Sequence, residues 1–133
     1  MSESPANTVA RDWLAAFDAA LTARNLDAAA ALFGAECYWR DLISFTWNIC
    51  TQESPAQVRA MLAARLDDVA PSNWQLEGDA SEAGGVTEAW FTFETRVSRG
   101  RGLLRLKDEN GQPRAWTLLT SMVELKGHEE KTG

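Results

Sequence analysis

"VTEAWFTFETRV", residues 86–97, decides the fold. Ala89, Phe91, Phe93, Thr95 and Val97 fall on one side of an extended chain, and Trp90, Thr92, Glu94 and Arg96 on the other. Side chains of a strand alternate between its faces, so one face turns to a core and the other away from it. Upstream, "NWQLEGDAS" (73–81) keeps the same period of two, and "EAGG" (82–85) turns the chain between the two runs. Downstream, "SRGRG" (98–102) interrupts the strand and "LLRLK" (103–107) resumes it. "DENGQP" (108–113) contains Asn110-Gly111, a strong hairpin signal, and "RAWTLLTSMVELK" (114–126) is a long last strand.

Before residue 72 the period is that of a helix. Val9, Trp13, Phe17 and Leu21 recur every four residues behind Asn7 or Thr8, either of which can cap. "ARNL" (23–26) breaks that helix, and Asn25 caps a short second one, "LDAAAALF" (26–33), which turns Leu26, Ala30 and Phe33 inward and ends at Gly34. Ser54-Pro55-Ala56-Gln57 starts a third: serine caps, proline takes the first helical position and Gln57 completes a capping box. It runs to about Val69 on Val58, Met61, Leu62 and Leu66, and Pro71 marks its end. Between the second and third helices, "CYWRDLISFTWNI" (37–49) reads as an extended, aromatic segment around Arg40-Asp41.

Helices followed by a run of strands is α+β organisation. Strands this long twist and bend, so the expected shape is a cone: a curved, mostly antiparallel sheet with three N-terminal helices on its concave face. Gly100 and Gly102 stand where such a strand kinks or bulges, and Phe17, Phe33, Leu62, Phe91, Phe93 and Leu119 are expected in the core.

At 133 residues, with 45% hydrophobic and 24% charged residues, the chain is one ordinary globular domain over 1–127 with a polar tail over 128–133. A net charge of −6 and a pI near 4.8 argue against nucleic-acid binding, which needs a basic face. No apolar run approaches a membrane span, and the N-terminus lacks the order of a signal peptide, so a cytoplasmic location is expected. Cys37 and Cys50 are expected as reduced fillers rather than nucleophiles. His128 is the lone histidine, which leaves no metal-ligand set. The chain contains no Gly-x-Gly-x-x-Gly turn for a dinucleotide, so no cofactor is expected.

"WLAAFDAALTARNLDAAAALFGAECYWRD" (13–41), with the Ser-Pro start of the third helix, resembles the nuclear transport factor 2-like superfamily, also called SnoaL-like or ketosteroid-isomerase-like. "YWRDLISFTWNI", "VTEAWFTFET", "GRGLLRLK" and "AWTLLTSMVELKGHEE" resemble more closely the N-terminal domain that precedes the flavin-binding part of some bacterial flavoprotein monooxygenases. That likeness implies either a native chain that continues past Gly133 into a flavoprotein segment or a stand-alone relative. In the isomerase branch, the acid after this segment is a general base, and Asp41 matches it by position. The tyrosine of that branch corresponds to Phe17, and its second acid falls near Arg101 or Gly102.

Asp41 is the sharpest candidate. Rings that exclude water make a carboxylate a better base, and Trp39 and Asp41, two apart on an extended segment, point the same way. A structural pair with an arginine, contact with a polar ligand and proton transfer all remain open for it; an arginine within hydrogen-bonding distance is expected. Tyr38 faces away. The expected pocket is Phe17, Trp39, Asp41, Trp47, Phe91 and Phe93, lined for a small apolar or aromatic ligand. Of six tryptophans, Trp90 sits on a polar strand face, and the resemblance implies a homodimer through the sheet's outer side; Trp90, Trp116 and Arg96 are its candidate contacts. The basic run Arg96, Arg99, Arg101, Arg105 and Lys107 is either a solvated hairpin or a strip for an acidic partner such as a flavoprotein module. Two functions follow: a small-molecule-binding or accessory domain, which the closer resemblance associates with a flavoprotein monooxygenase, or a small isomerase, dehydratase or hydrolase using Asp41.

Overall fold

The structure, a computed structural model, describes residues 4–42 and 50–126. Trp47 and the 128–133 tail lie outside the described residues. Three helices precede most of a six-stranded sheet: α1 (Pro5–Thr22), α2 (Leu26–Ala31), β1 (Phe33–Leu42), β2 (Cys50–Gln52), α3 (Pro55–Val69), β3 (Ser72–Ala83), β4 (Val86–Glu94), β5 (Ser98–Glu109) and β6 (Gln112–Leu125). The strand order is β2-β1-β6-β5-β4-β3, curved and unclosed; β1 runs parallel to β6, and every other pair is antiparallel. α1 packs on β3 and β4, and α3 on β1 and β2, with α2 between the helices. The α+β cone expected from the sequence is present.

Local chemistry explains the boundaries. Ser4, not Asn7 or Thr8, caps α1: its Oγ accepts from Asn7 N–H at 3.2 Å, and Pro5 takes the first helical position. Asn7 is used for a longer-range tie. Its Oδ1 accepts from Ala80 N–H at 2.6 Å and its Nδ2 donates to Asp79 at 3.1 Å, where β3 loses register between Glu77 and Ser81. Asn25 caps α2 as expected, but the helix stops before Phe33, and Gly34 belongs to β1 instead of ending α2. Ser54 caps α3, and Gln57 reaches back to Glu53 N–H at 2.8 Å. Ala70 closes α3 with a left-handed φ of 47°.

β5 is continuous from Ser98, so "SRGRG" does not interrupt it. The break comes earlier, at a corner where Thr95 N–H donates to Ser98 O at 2.8 Å and the two hydroxyls lie 2.7 Å apart. Val97 is therefore at an exposed tip rather than on the inner face. The loss of register expected near the glycines appears in the β5–β6 pairing between Arg99 and Gly100. Both glycines are buried, and a Cβ on either would collide with an aromatic ring, Phe93 at Gly100 and Phe91 at Gly102. Rings on β4 thus lie across β5 because β5 offers hydrogen atoms there.

The core lies between the concave face and the helices. Phe17, Phe33, Leu62, Phe91 and Phe93 are buried there. Leu119 is half-buried on the opposite face, because Leu118 takes the inner position.

Candidate functional site

Rings fill the space between the concave face and the helices. Phe17 meets Trp13, Phe33, Trp39 and Trp74 with centroids 4.9–5.9 Å apart. Trp74 carries the contact on to Phe91 and Phe93. Phe33 stacks on Trp39 at 5.8 Å with planes 9° apart. Of the residues expected to line a pocket, Phe17, Trp39, Phe91 and Phe93 therefore share one aromatic cluster, and Trp74 and Phe33 join it.

One carboxylate stands at the edge of this cluster. Asp41 is 1% exposed, near the C-terminal end of β1, and points to the same side as buried Trp39. The parallel register sets Asp41 opposite Thr120 and Trp39 opposite Leu118. Trp39 Nε1 donates to Thr120 Oγ1 at 2.9 Å, and Thr120 Oγ1 donates to Asp41 Oδ1 at 2.6 Å. The result is a buried relay from indole to hydroxyl to carboxylate. The described bond at Oδ1 comes from a neutral hydroxyl, and Arg40, next in sequence, is exposed. Thr120 is the member of this candidate site that the sequence reading did not single out. Its place depends on pairing strands 79 residues apart, and the one local signal is a polar residue at an inward position of "TLLTSM" (117–122).

Tyr38 is 40% exposed on the outer side, away from Asp41. Cys37 is buried, and burial first, then the negative charge of Glu109, pushes its thiol up to about 11. A thiol held protonated is a poor nucleophile and a good filler. Among the described residues, no group of three or more His, Cys, Asp or Glu could hold a metal ion. No helix of the described residues is long and apolar enough to cross a membrane.

The outer face differs. Trp90 is 41% exposed under the Arg101 guanidinium, 4.7 Å from the ring centre, and Lys107 lies over Trp116 at 3.9 Å. Trp90, Leu103 and Leu119 pair across β4, β5 and β6 to form an apolar row. Ion pairs flank it: Arg101 with Glu77 at 2.5 Å, Arg105 with Glu88 at 2.8 Å and Arg99 with Glu124 at 3.1 Å. The basic run is thus largely matched inside the sheet. Arg96 is not part of this row; its guanidinium donates to the carbonyls of Asp67 and Asp68 at the end of α3.

Solved structures share this fold. A ketosteroid isomerase-like protein from Erwinia carotovora atroseptica superposes with a TM-score of 0.72 at 8% identity, over 91% of this chain and 98% of that one. An NTF2-like protein with a cystatin-like fold from Novosphingobium aromaticivorans gives 0.69 at 11% identity, over 87% and 80%.

The fold is nuclear transport factor 2-like.

A second Novosphingobium aromaticivorans protein, whose name assigns it provisionally to the aromatic ring hydroxylases, gives 0.65 at 14% identity, over 92% of both chains. No family model matches the sequence, and no curated protein matches it. Within the nuclear transport factor 2-like frame, the aromatic cluster is packed between the sheet and the helices, with the Trp39–Thr120–Asp41 relay at its edge.

Proposed function

We propose that the domain binds a small apolar or aromatic molecule against the aromatic interior, with Asp41 as its polar anchor. The relay carries this reading. A buried carboxylate is costly unless its lone pairs are met, and a buried network that is fully satisfied holds its members in one orientation. Here an indole and a hydroxyl fix a carboxylate among rings, which is the composition of a ligand site: mostly apolar walls and a few placed polar groups. The likeness to a protein assigned provisionally to the aromatic ring hydroxylases is compatible with an aromatic ligand.

Proton transfer by Asp41 is less well supported. A base needs a partner that stabilises the developing oxyanion. Phe17, at the position of the isomerase tyrosine, has no hydroxyl. At the position of the second acid, Gly102 faces inward with no side chain, and Arg101 lies on the outer face bonded to Glu77. Binding without turnover is the better account.

We also propose a two-fold dimer through the outer face, seated on Trp90 with Leu103 and Leu119, with Trp116 at its margin. An apolar row bordered by charges has the anatomy of an interface, and an isologous contact can match Arg and Glu rungs of one copy with those of the other. Arg96 is engaged at α3 and is left out of that contact. Calorimetric titration with planar aromatic compounds, followed by amide chemical-shift mapping, tests the binding site. Micromolar affinity with shifts around Trp39, Asp41 and Thr120 is the expected result; shifts confined to the outer face would refute the pocket. Isomerase turnover abolished by Asp41→Asn in a folded protein would establish the enzyme instead.

A further inference from the structure

We infer that each copy of the chain seats its Trp90 indole in a hollow on the outer face of a second copy, an arrangement that rests on the dimer proposed for that face. The contact is then a reciprocal pair of knobs and sockets, not ring against ring at the two-fold axis. The socket is a hollow of about 350 Å³ lined by Thr92, Phe93, Arg99, Gly100, Arg101 and Val123. Two local features shape it. Thr92 is the smallest of the outward side chains at 90, 92 and 94 on β4, standing between Trp90 and Glu94. Across β5, Gly100 pairs with Met122 and Arg99 with Glu124, so Val123 is an extra residue on β6, bulged from the ladder and 62% exposed.

Knob and socket share one face. Trp90 is 41% exposed and lies two residues from Thr92 along β4, about 7 Å. Of the exposed large apolar side chains among the described residues, Tyr38 and Trp90 are the aromatic ones, and Trp90 stands on the socket's own strand. A two-fold axis between a knob and a socket on one surface places each copy's knob in the other's socket, which closes the assembly at two. The chemistry of the hollow also suits an indole, an apolar plate with one donor and no acceptor. Thr92, Phe93 and Val123 supply apolar atoms, and the Arg99 and Arg101 guanidinium groups can meet the face of a ring. Glu77, Glu94 and Glu124 border the hollow with side chains 29–42% exposed, so they still face water and can take an N–H from outside. Each of these acids is already paired within its own copy, with Arg101, Lys126 and Arg99 in turn. A second copy therefore covers matched charges and strands none.

The test is complementation between two kinds of variant. Trp90→Ala removes the knob, and Thr92→Phe fills the socket from its floor with a residue that strands accommodate. Val123→Phe fills the same hollow from its wall, so a folding defect in one filled variant, read by circular dichroism, leaves the other to decide. Sedimentation with one partner fluorescently labelled reads the homodimers and the mixed dimer. Each variant alone should dimerise about thirtyfold more weakly than the unmodified chain. In a mixture, Trp90 of the filled copy can enter the open socket of the Trp90→Ala copy, which returns one of the two contacts. The mixed dimer should then be about fivefold tighter than either homodimer, beyond the statistical advantage of a mixed pair. An unmodified dimer with no recovery in the mixture would overturn the inference and leave the dimer standing. So would filled variants that dimerise as tightly as the unmodified chain. A monomeric unmodified chain would end the dimer and the inference together.

Discussion

On the inner side of β4 and β5, Phe91 and Phe93 lie across Gly102 and Gly100. On the outer side of the same two strands, Glu88 pairs with Arg105 and Trp90 lies under Arg101. The two faces are one residue apart along the chain and differ in what holds them. The inner face relies on volume: rings at 4.9–5.9 Å, glycines where a methyl group would collide, and the Trp39–Thr120–Asp41 relay. The outer face relies on matched charge around a narrow apolar row. Volume tolerates little change, because interiors are close-packed, while exposed charges sit in a high dielectric and rearrange cheaply. A binding site built in the first setting is rigid and selective, and a contact built in the second is adjustable.

The comparison predicts a graded set of effects. The largest belongs to Phe17→Ala, which removes the ring that touches Trp13, Phe33, Trp39 and Trp74. Chemical denaturation should show a loss of about 3–5 kcal/mol. A loss below 1 kcal/mol would mean that the cluster re-forms around the gap and that the inner face is looser than described. Next comes Gly102→Val. Its Cβ alone would meet the Phe91 ring and the Leu119 carbonyl, and the backbone side of that contact cannot yield like a flexible side chain. Overpacking of this kind costs about 3 kcal/mol. A mild effect would mean that β5 shifts away from Phe91, which a change in near-ultraviolet circular dichroism would reveal.

Much of this division was legible in the sequence. The period of two in "VTEAWFTFET" places Phe91 and Phe93 inward and Trp90 outward, and Ser54-Pro55 sets the start of α3. Trp39 and Asp41 do share a side, with Tyr38 opposite. The misses have physical causes. Ser4 outcompetes Asn7 as a cap because Asn7 has a better use 73 residues away, at Ala80. "TLLTS" (117–121) holds adjacent leucines, and which of them faces inward depends on a register shift between Arg105 and Leu106 that no local pattern encodes. The three-residue β2 is too short to show a period. Thr120 joins Asp41 through a parallel pairing, and the likeness to known domains gave no warning of a hydroxyl there.

A third test moves to the outer face. Trp90→Ala removes the largest apolar group of its row while leaving the inner packing untouched. In sedimentation at micromolar concentration, the unmodified chain should run as a dimer and the variant should dissociate. A tryptophan at the centre of an interface is commonly worth about 2 kcal/mol or more, a weakening of roughly thirtyfold. A monomer in the unmodified chain, or a dimer indifferent to Trp90→Ala, would leave the outer face as a solvated surface.

The smallest effect is expected at the Arg105–Glu88 rung, and its context makes it informative. In an isolated copy both side chains are about two-fifths exposed, 41% and 40%, so their attraction is screened and each must give up rotamer freedom to hold the other. A double-mutant cycle with Arg105→Ala and Glu88→Ala should give a coupling of about 0.2–1 kcal/mol at low protein concentration, falling as salt is added. The rung stands beside the Trp90 row, so closing a second copy over that row would remove water from it. Desolvation strengthens a pair whose partners stay matched, and it shields the pair from salt. The coupling should then rise with protein concentration and lose its salt dependence across the range in which the dimer forms. A coupling that stays small and salt-sensitive through a proven dimer transition would place this rung outside the contact, and would move the interface toward Tyr38 and β1.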